Sequence, residues 1–342
     1  MQPSSAPQPK GVPWPTDAWP EGEATSAVTA LVERAFEDPT LSETYAVVVV
    51  QHGRVVAERY GGALPSFTHD PTPVTPTTPL LSWSMAKSVL HAAVGILVGE
   101  GRLVLDAPAP IAAWSEPGDP RAAITLRQLL EMRDGLAWTE DYVDDSISDV
   151  IEMLFGSGAT DVAAFAASHE LAHEPGTAFN YSSGTSNLIA SVVGAVVGRG
   201  DATARFLDDR LFGPLGMHDA AITCDDAGTF IGSSYVYCSA RSFAKFATLY
   251  LRGGEWDGAR LLAAEWVAGA QVPVSQDVDH DTYYSQHWWL DARGSYWASG
   301  YEGQRAVVCP WRDCVVVRLG RTPAARYPAL RSWCDSVLAA LD

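Results

Sequence analysis

The chain has 342 residues, 47% hydrophobic and 19% charged, a globular balance. Its 41 acidic against 23 basic residues give a formal net charge of −18. That charge argues against nucleic acid as a partner, which needs a basic face, and against anionic membrane surfaces. The length allows a large core and predicts two lobes.

Residues 1–22 are rich in proline and polar residues and read as an extended arm. They lack the basic segment followed by an apolar stretch that marks a secretory signal. No apolar run approaches the roughly 20 residues of a membrane span. Five cysteines, Cys224, Cys238, Cys309, Cys314 and Cys334, form no zinc pattern. Reduced thiols and a cytoplasmic location are expected. Cys309 and Cys314 flank a Pro-Trp-Arg-Asp turn and would face each other across a hairpin.

Residues 24–37 read as a helix. The β-branched run Tyr45-Ala46-Val47-Val48-Val49-Val50 reads as a buried strand, turning at His52-Gly53 into a partner from Arg54 to Tyr60. Residues 61–80, rich in proline, form a loop. A helix follows from Ser84 to Glu100 and stops at Gly101. Residues 106–225 carry helical signals and no strand is expected there. Thr125-Leu126-Arg127-Gln128 reads as a capping box, with Gly135 as the stop of that helix. Helical patterns recur at 146–155, 160–169, 184–198 and 202–212. After helices at 239–252 and 263–270 come strand-like runs at 285–290, 295–300, 304–309 and 314–319, and a helix from 326 to 341. Strands at both ends with helices between predict an α+β fold. An antiparallel sheet built from both termini is flanked by helices and carries an all-helical insertion. The expected division is an arm at 1–22, an α/β lobe at 23–105 and 226–342, and a helical lobe at 106–225. Ser84 would lie where the lobes meet, a common place for a pocket.

The run Ser84-Met85-Ala86-Lys87 carries the chemistry. Residues three apart share a helix face, so Ser84 and Lys87 can touch. A serine hydroxyl is a weak nucleophile until a base takes its proton, and a desolvated lysine is such a base. The chain has 3 lysines and 20 arginines, yet this position holds lysine, which can lose its proton where arginine cannot. A second proton carrier is needed for the leaving group. Tyr181 is the candidate, just before a helix at Gly184, with a pKa expected to fall beside a cationic lysine. Ser183 is placed to hydrogen-bond Lys87 or a substrate. In Trp297-Ala298-Ser299-Gly300-Tyr301-Glu302-Gly303-Gln304, Gly300 would let a substrate approach a strand edge. There the Tyr301 N–H, with that of Ser84, would hold an oxyanion.

These pieces together resemble the serine β-lactamase-like hydrolases, above all the class C β-lactamase group and, within it, the esterases and 6-aminohexanoate-dimer hydrolases. Val12-Pro13-Trp14-Pro15-Thr16, Leu81 to Ser88, Glu140-Asp141-Tyr142, Glu174-Pro175-Gly176 with Asn180 to Gly184, and Gly300 to Gln304 carry the likeness in matching order along nearly the whole chain. The resemblance implies acylation of Ser84, proton transfers shared by Lys87 and Tyr181, and an oxyanion hole from the Ser84 and Tyr301 N–H groups. It also implies that Tyr142 reaches a substrate amide nitrogen. The chain departs from the pattern in three places. Ser183 stands where class C enzymes usually have asparagine. Ala298-Ser299-Gly300 replaces Lys-Thr-Gly, removing a cation that would bind a β-lactam carboxylate. Glu302 stands where a histidine is common. Asp141, Asp144 and Asp145 are candidates for an amine-binding acid.

The expected function is a serine hydrolase that forms an acyl-enzyme on Ser84 and cleaves a small amide or carboxylic ester, with no cofactor and no metal. A homodimer is left open. An acyltransferase using the same acyl-enzyme and a catalytically silent binding protein are the alternatives. So is a zinc hydrolase, because His169-Glu170-Leu171-Ala172-His173 has the zinc-protease pattern, although Pro175-Gly176 end any helix there. His91 and His287 lie near the key helix or a late strand; His91 reads as packed, and the role of His287 is open.

Overall fold

An antiparallel sheet of eight strands forms the centre of the molecule. The computed structural model describes residues 3–65, 70–143, 146, 148–277 and 281–341. The strands are β1 (Glu43–Gln51), β2 (Arg54–Tyr60), β3 (Ser275–Asp277), β4 (Thr282–Tyr284), β5 (Trp289–Leu290), β6 (Tyr296–Gly300), β7 (Gln304–Cys309) and β8 (Cys314–Arg321). They lie in the order β3-β4-β5-β6-β7-β8-β1-β2. Both ends of the chain therefore build one sheet, as the sequence predicts. Val48 lies opposite Val317, and Val50 opposite Val315. The turn between β1 and β2 has His52 at φ +50° and Gly53 at φ +73°, the paired positive angles of a tight hairpin.

Helices cover both faces. The first half supplies α1 (Ser26–Glu37), α2 (Ala86–Gly99), α3 (Leu126–Leu130), α4 (Asp149–Phe155) and α5 (Val162–Ala167). The second supplies α6 (Ser183–Val197), α7 (Asp201–Leu207), α8 (Ala240–Leu251), α9 (Ala264–Gly269) and α10 (Tyr327–Ala340). Val47 and Val49 join a core with Val28 and Val32 of α1 and with Leu330, Trp333 and Val337 of α10. Val48 and Val50 point the other way, into the cluster that holds Leu90 of α2 and Phe243 and Ala247 of α8. A strand covered on both faces needs no polar side, which explains its unbroken valine run. The arm lies along α8 and the β2 edge: the Ala6 N–H donates to the Leu251 carbonyl (2.9 Å), and the Gly22 N–H to that of Val55 (2.9 Å).

Several local expectations change. The capping box at Thr125 is present, but α3 ends at Leu130, before Gly135. Gly135 (φ +83°) instead lets the chain turn close to the His173 carbonyl, which a Cβ would approach to 2.3 Å. The run 285–290 is strand only at Trp289–Leu290. His287, at φ +60°, breaks it into a turn closed by the Ser285 N–H on the Trp288 carbonyl (2.9 Å). Strands β3 and β4 were not expected, because Ser275-Gln276-Asp277 has no apolar alternation. Ala221–Ile222 is also a strand, paired with Val236–Cys238, which in turn pairs with Leu80–Leu81. Cys309 and Cys314 are register partners across the β7–β8 hairpin and are free thiols. Among the described residues no helix is long and apolar enough to cross a membrane.

Candidate active site

Ser84 sits in a tight turn, Trp83–Met85, that runs directly into α2. Trp83 holds φ +45°, a left-handed conformation unusual for a bulky residue. Such strain costs about 1–3 kcal/mol and persists only where neighbours fix it. Here Ser82 does so. Its hydroxyl donates to the Trp83 carbonyl (2.8 Å), its N–H donates to the Val236 carbonyl (2.9 Å), and its oxygen accepts from the Val236 N–H (3.1 Å). From the other side comes the end of β6. A Cβ on Gly300 would lie 2.3 Å from the Ser82 carbonyl oxygen. Gly300 thus serves close backbone packing, a requirement besides the substrate approach that the sequence suggests. The contact brings the Gly300–Tyr301 backbone against the turn that carries Ser84.

Lys87, in the first turn of α2, reaches back along the helix face. Its Nζ lies 3.1 Å from Ser84 Oγ, 3.0 Å from Ser183 Oγ and 3.0 Å from the Ser233 carbonyl. The side chain is 2% exposed. Burial, which disfavours the charged form, pushes its pKa down to about 8, and the Glu140 carboxylate pulls the other way. Lys87 Nζ also stands over the Tyr181 ring, 4.9 Å from its centre.

Tyr181 and Ser183 arrive on the segment that enters α6. The hydroxyl of Ser182 caps that helix by accepting the Thr185 N–H (2.9 Å). Asn180 Nδ2 donates to the Trp138 carbonyl (3.1 Å) and ties this segment to the strand-like stretch before it. Gly184 is forced by the same neighbour, since a Cβ there would lie 2.5 Å from the Trp138 ring. The Tyr181 pKa is raised, first by burial and then by the Glu140 charge, with a hydrogen bond to Ser84 opposing. The lowered value expected from a neighbouring lysine is therefore corrected: burial and the Glu140 charge outweigh the Ser84 hydrogen bond and Arg305, and the phenol is neutral. Tyr142 likewise titrates well above its ordinary value, because its hydroxyl is buried and faces Glu140, although 38% of the residue is exposed.

Glu140 is the residue that sequence reasoning missed. Its Oε1 accepts from the Tyr142 hydroxyl (2.6 Å) and the Ser183 hydroxyl (2.6 Å). Its Oε2 accepts from the Ser183 N–H (2.9 Å) and Trp138 Nε1 (2.6 Å). The alternation Trp138, Glu140, Tyr142 in an extended stretch was the available signal, since alternate residues of such a stretch share one side. Ser233, which offers its carbonyl to Lys87, had no signal of its own.

A cavity of about 190 Å³ opens beside Ser84, walled by Trp83, Tyr142, Ile151, Leu154, Phe155 and Tyr301. The Tyr301 ring packs edge-on against Trp83 (5.6 Å) and tilts against Tyr142 (5.0 Å). All seven singled-out residues, Ser84, Lys87, Tyr142, Tyr181, Ser183, Gly300 and Tyr301, thus border one region. Glu302 turns away to pair with Arg321 (3.1 Å). Of the acid candidates, Asp144 and Asp145 lie outside the described residues.

His287, His91 and His169 take structural places. His287 is buried between α2, α3 and α6. Its Nδ1 donates to the Leu130 carbonyl (2.9 Å), so its Nε2 accepts from the Ser186 hydroxyl (3.1 Å). Burial pushes its pKa down to about 3, so it stays neutral. His91 stacks on Trp266 (4.6 Å) and hydrogen-bonds Tyr250 (2.7 Å). His169 and His173 do not share a helix face, because α5 stops at Ala167. His169 instead uses its ring nitrogens on the Phe165 carbonyl and Asp149. Among the described residues no three His, Cys, Asp or Glu side chains gather as a metal set.

The chain is similar to known proteins in sequence and in fold. A 6-aminohexanoate-dimer hydrolase from Paenarthrobacter ureafaciens is 28% identical over 314 residues, covering 85% of this chain and 75% of that enzyme. Esterase EstB from Burkholderia gladioli is 28% identical over 217 residues, covering 59% of this chain and 52% of the esterase, about half its length. In fold, a penicillin-binding protein homologue from Caulobacter crescentus superposes with a TM-score of 0.72 at 19% identity, covering 94% of this chain and 99% of that one. Residues 32–329, most of the chain, match the Beta-lactamase family model, so the chain belongs to the Beta-lactamase family and is a hydrolase related to these two enzymes.

Proposed function

We propose that this hydrolase cleaves a small amide or carboxylic ester through an acyl-enzyme on Ser84. The observation that carries the reading is Lys87 Nζ, buried, 3.1 Å from Ser84 Oγ, with a pKa near 8. At pH 7.5 about a quarter of such an amine is free base, against about a thousandth at its ordinary pKa near 10.4. A base with this poise can take the serine proton without strong alkali.

In this reading Ser84 Oγ attacks the substrate carbonyl carbon while its proton passes to Lys87 Nζ. The carbonyl π pair moves to oxygen, which the N–H groups of Ser84 and Tyr301 hold. Collapse re-forms the carbonyl and breaks the bond to the amine or alcohol. Tyr181, a neutral phenol, gives its proton to that leaving group and is reprotonated from the Lys87 ammonium. Water then attacks the acyl group by the same route and frees the acid. Tyr142, at the cavity rim, is placed to accept a leaving-group N–H. The cavity takes the apolar part of the substrate.

Incubation with a fluorophosphonate or an activated ester, followed by peptide mass spectrometry, tests the assignment. An adduct on Ser84 that is absent from Ser84→Ala supports it. Catalytically active protein without an adduct on Ser84 would falsify it.

A further inference from the structure

Hydrogen-bond directions around Lys87 can be assigned one by one. An ionised carboxylate has no proton to give, so the Ser183 hydroxyl must donate its only hydrogen to Glu140 Oε1. The Ser183 oxygen therefore meets Lys87 with lone pairs alone. The Ser233 carbonyl can only accept as well. A neutral amine has two hydrogens and one lone pair. Ser183 and Ser233 claim both hydrogens, each at 3.0 Å, and the lone pair is left for Ser84 at 3.1 Å. Once protonated, the amine keeps the same three partners and points its third hydrogen back at Ser84.

We propose that Glu140 is the positioning residue of this site: by holding the Ser183 hydroxyl as its own donor, it turns the free electron pair of Lys87 towards Ser84. This role rests on the acyl-enzyme reading above. Without the carboxylate, Ser183 can rotate its hydrogen onto Nζ and compete with Ser84 for the lone pair. Glu140 has a second grip on the same serine through its backbone N–H, where the positive end of the α6 dipole favours a carboxylate. Trp138 and Tyr142 complete its four donors, so the carboxylate has little freedom to swing away.

The charge of Glu140 acts separately. The titratable groups that face Lys87 are the Glu140 carboxylate, the ring of Tyr181 and the neutral imidazole of His287. Glu140 alone among these carries a charge, and it favours the ammonium. Glu140→Gln should therefore move the acidic limb of the rate profile to lower pH while impairing the orientation of the base.

The test measures fluorophosphonate labelling of Ser84 and ester turnover across pH in the parent, Glu140→Gln, Ser183→Ala and the double variant, each checked for folding by circular dichroism. Glu140→Gln should lower the plateau rate at least ~10-fold where Ser183 is present but less than ~3-fold in the Ser183→Ala background, since residues acting through one another are not additive. Equal losses in both backgrounds, or an unchanged plateau and acidic limb, would overturn the role. If Glu140→Gln does not fold, Glu140→Asp replaces it. That variant keeps the charge and draws the carboxylate back, so the plateau should fall with the limb unmoved; a full plateau would overturn the proposal. Labelling of the parent separates the two ideas. Ser84 labelled in the parent with variants behaving alike removes only Glu140. No labelling of Ser84 in active parent removes the acyl-enzyme reading, and Glu140 with it.

Discussion

Gly300 and Ser82 meet backbone to backbone: a Cβ on the glycine would stand 2.3 Å from the serine carbonyl oxygen. The end of β6 and the turn that holds Ser84 are locked together by this contact. Gly300→Ala should push them apart and lower kcat/KM on a nitrophenyl ester by ~10- to 100-fold, since displacements near 1 Å at a reacting centre have that scale. Thermal melting should fall modestly, by about 1–3 kcal/mol of overpacking. Full activity in Gly300→Ala would show that the contact does not set the site.

The rate should depend on pH through Lys87. In the proposed mechanism its free base is the active form, so kcat/KM should rise with pH and level off above about 8. Lys87→Arg should abolish the rise together with the activity, because a guanidinium keeps its proton. A profile flat between pH 6 and 9 in the parent, with chemistry rate-limiting, would contradict the assignment.

Tyr181→Phe should leave labelling by a good-leaving-group reagent nearly intact while reducing turnover of amides by ~100-fold or more. The neutral phenol matters most where the departing group must gain a proton. Comparing a nitrophenyl ester with the matching alkyl amide measures the difference. Equal losses on both would deny Tyr181 the leaving-group proton.

His287 should make the fold acid-sensitive. Its folded pKa near 3 lies below the ordinary 6.5, so between these values the unfolded chain binds a proton that the folded one refuses. Stability from this group is complete above pH 6.5 and is lost at ~1.4 kcal/mol per pH unit as pH falls towards 3. Asp134, buried on Thr185 and pushed up to about 6, acts in the opposite sense between its ordinary 3.8 and 6. Replacing His287 by Asn isolates its part: urea midpoints at pH 7 and 4.5 should lie closer together in that variant. An equal spread in both proteins would remove His287 as the cause.

Much of this architecture was legible because it rests on local patterns. The valine run of β1, the Ser84–Lys87 spacing and the capping box at Thr125 each state their geometry within a few residues. What stayed hidden depends on partners far along the chain. The φ of His287 is fixed by hydrogen bonds to three helices, and no periodicity predicts that. The importance of Glu140 comes from Ser183, 43 positions away. The Tyr181 shift runs opposite to the expectation because burial, which sequence does not report, and the charge of Glu140 set its direction. Gly300 was recognised as a place of close approach, but its neighbour proved to be the protein's own backbone.

The pairing of β1 with β8 has a bearing on biosynthesis. The valine strand gains β2 on one edge as soon as the hairpin closes, yet its other edge has no partner until residues up to Arg321 have emerged. Until β8 follows, the nascent molecule carries an apolar strand with one open edge, the kind of exposed surface that chaperones recognise. It also follows that the turn carrying Ser84 waits for its brace, because the end of β6 that packs against it is made about two hundred residues after Ser84.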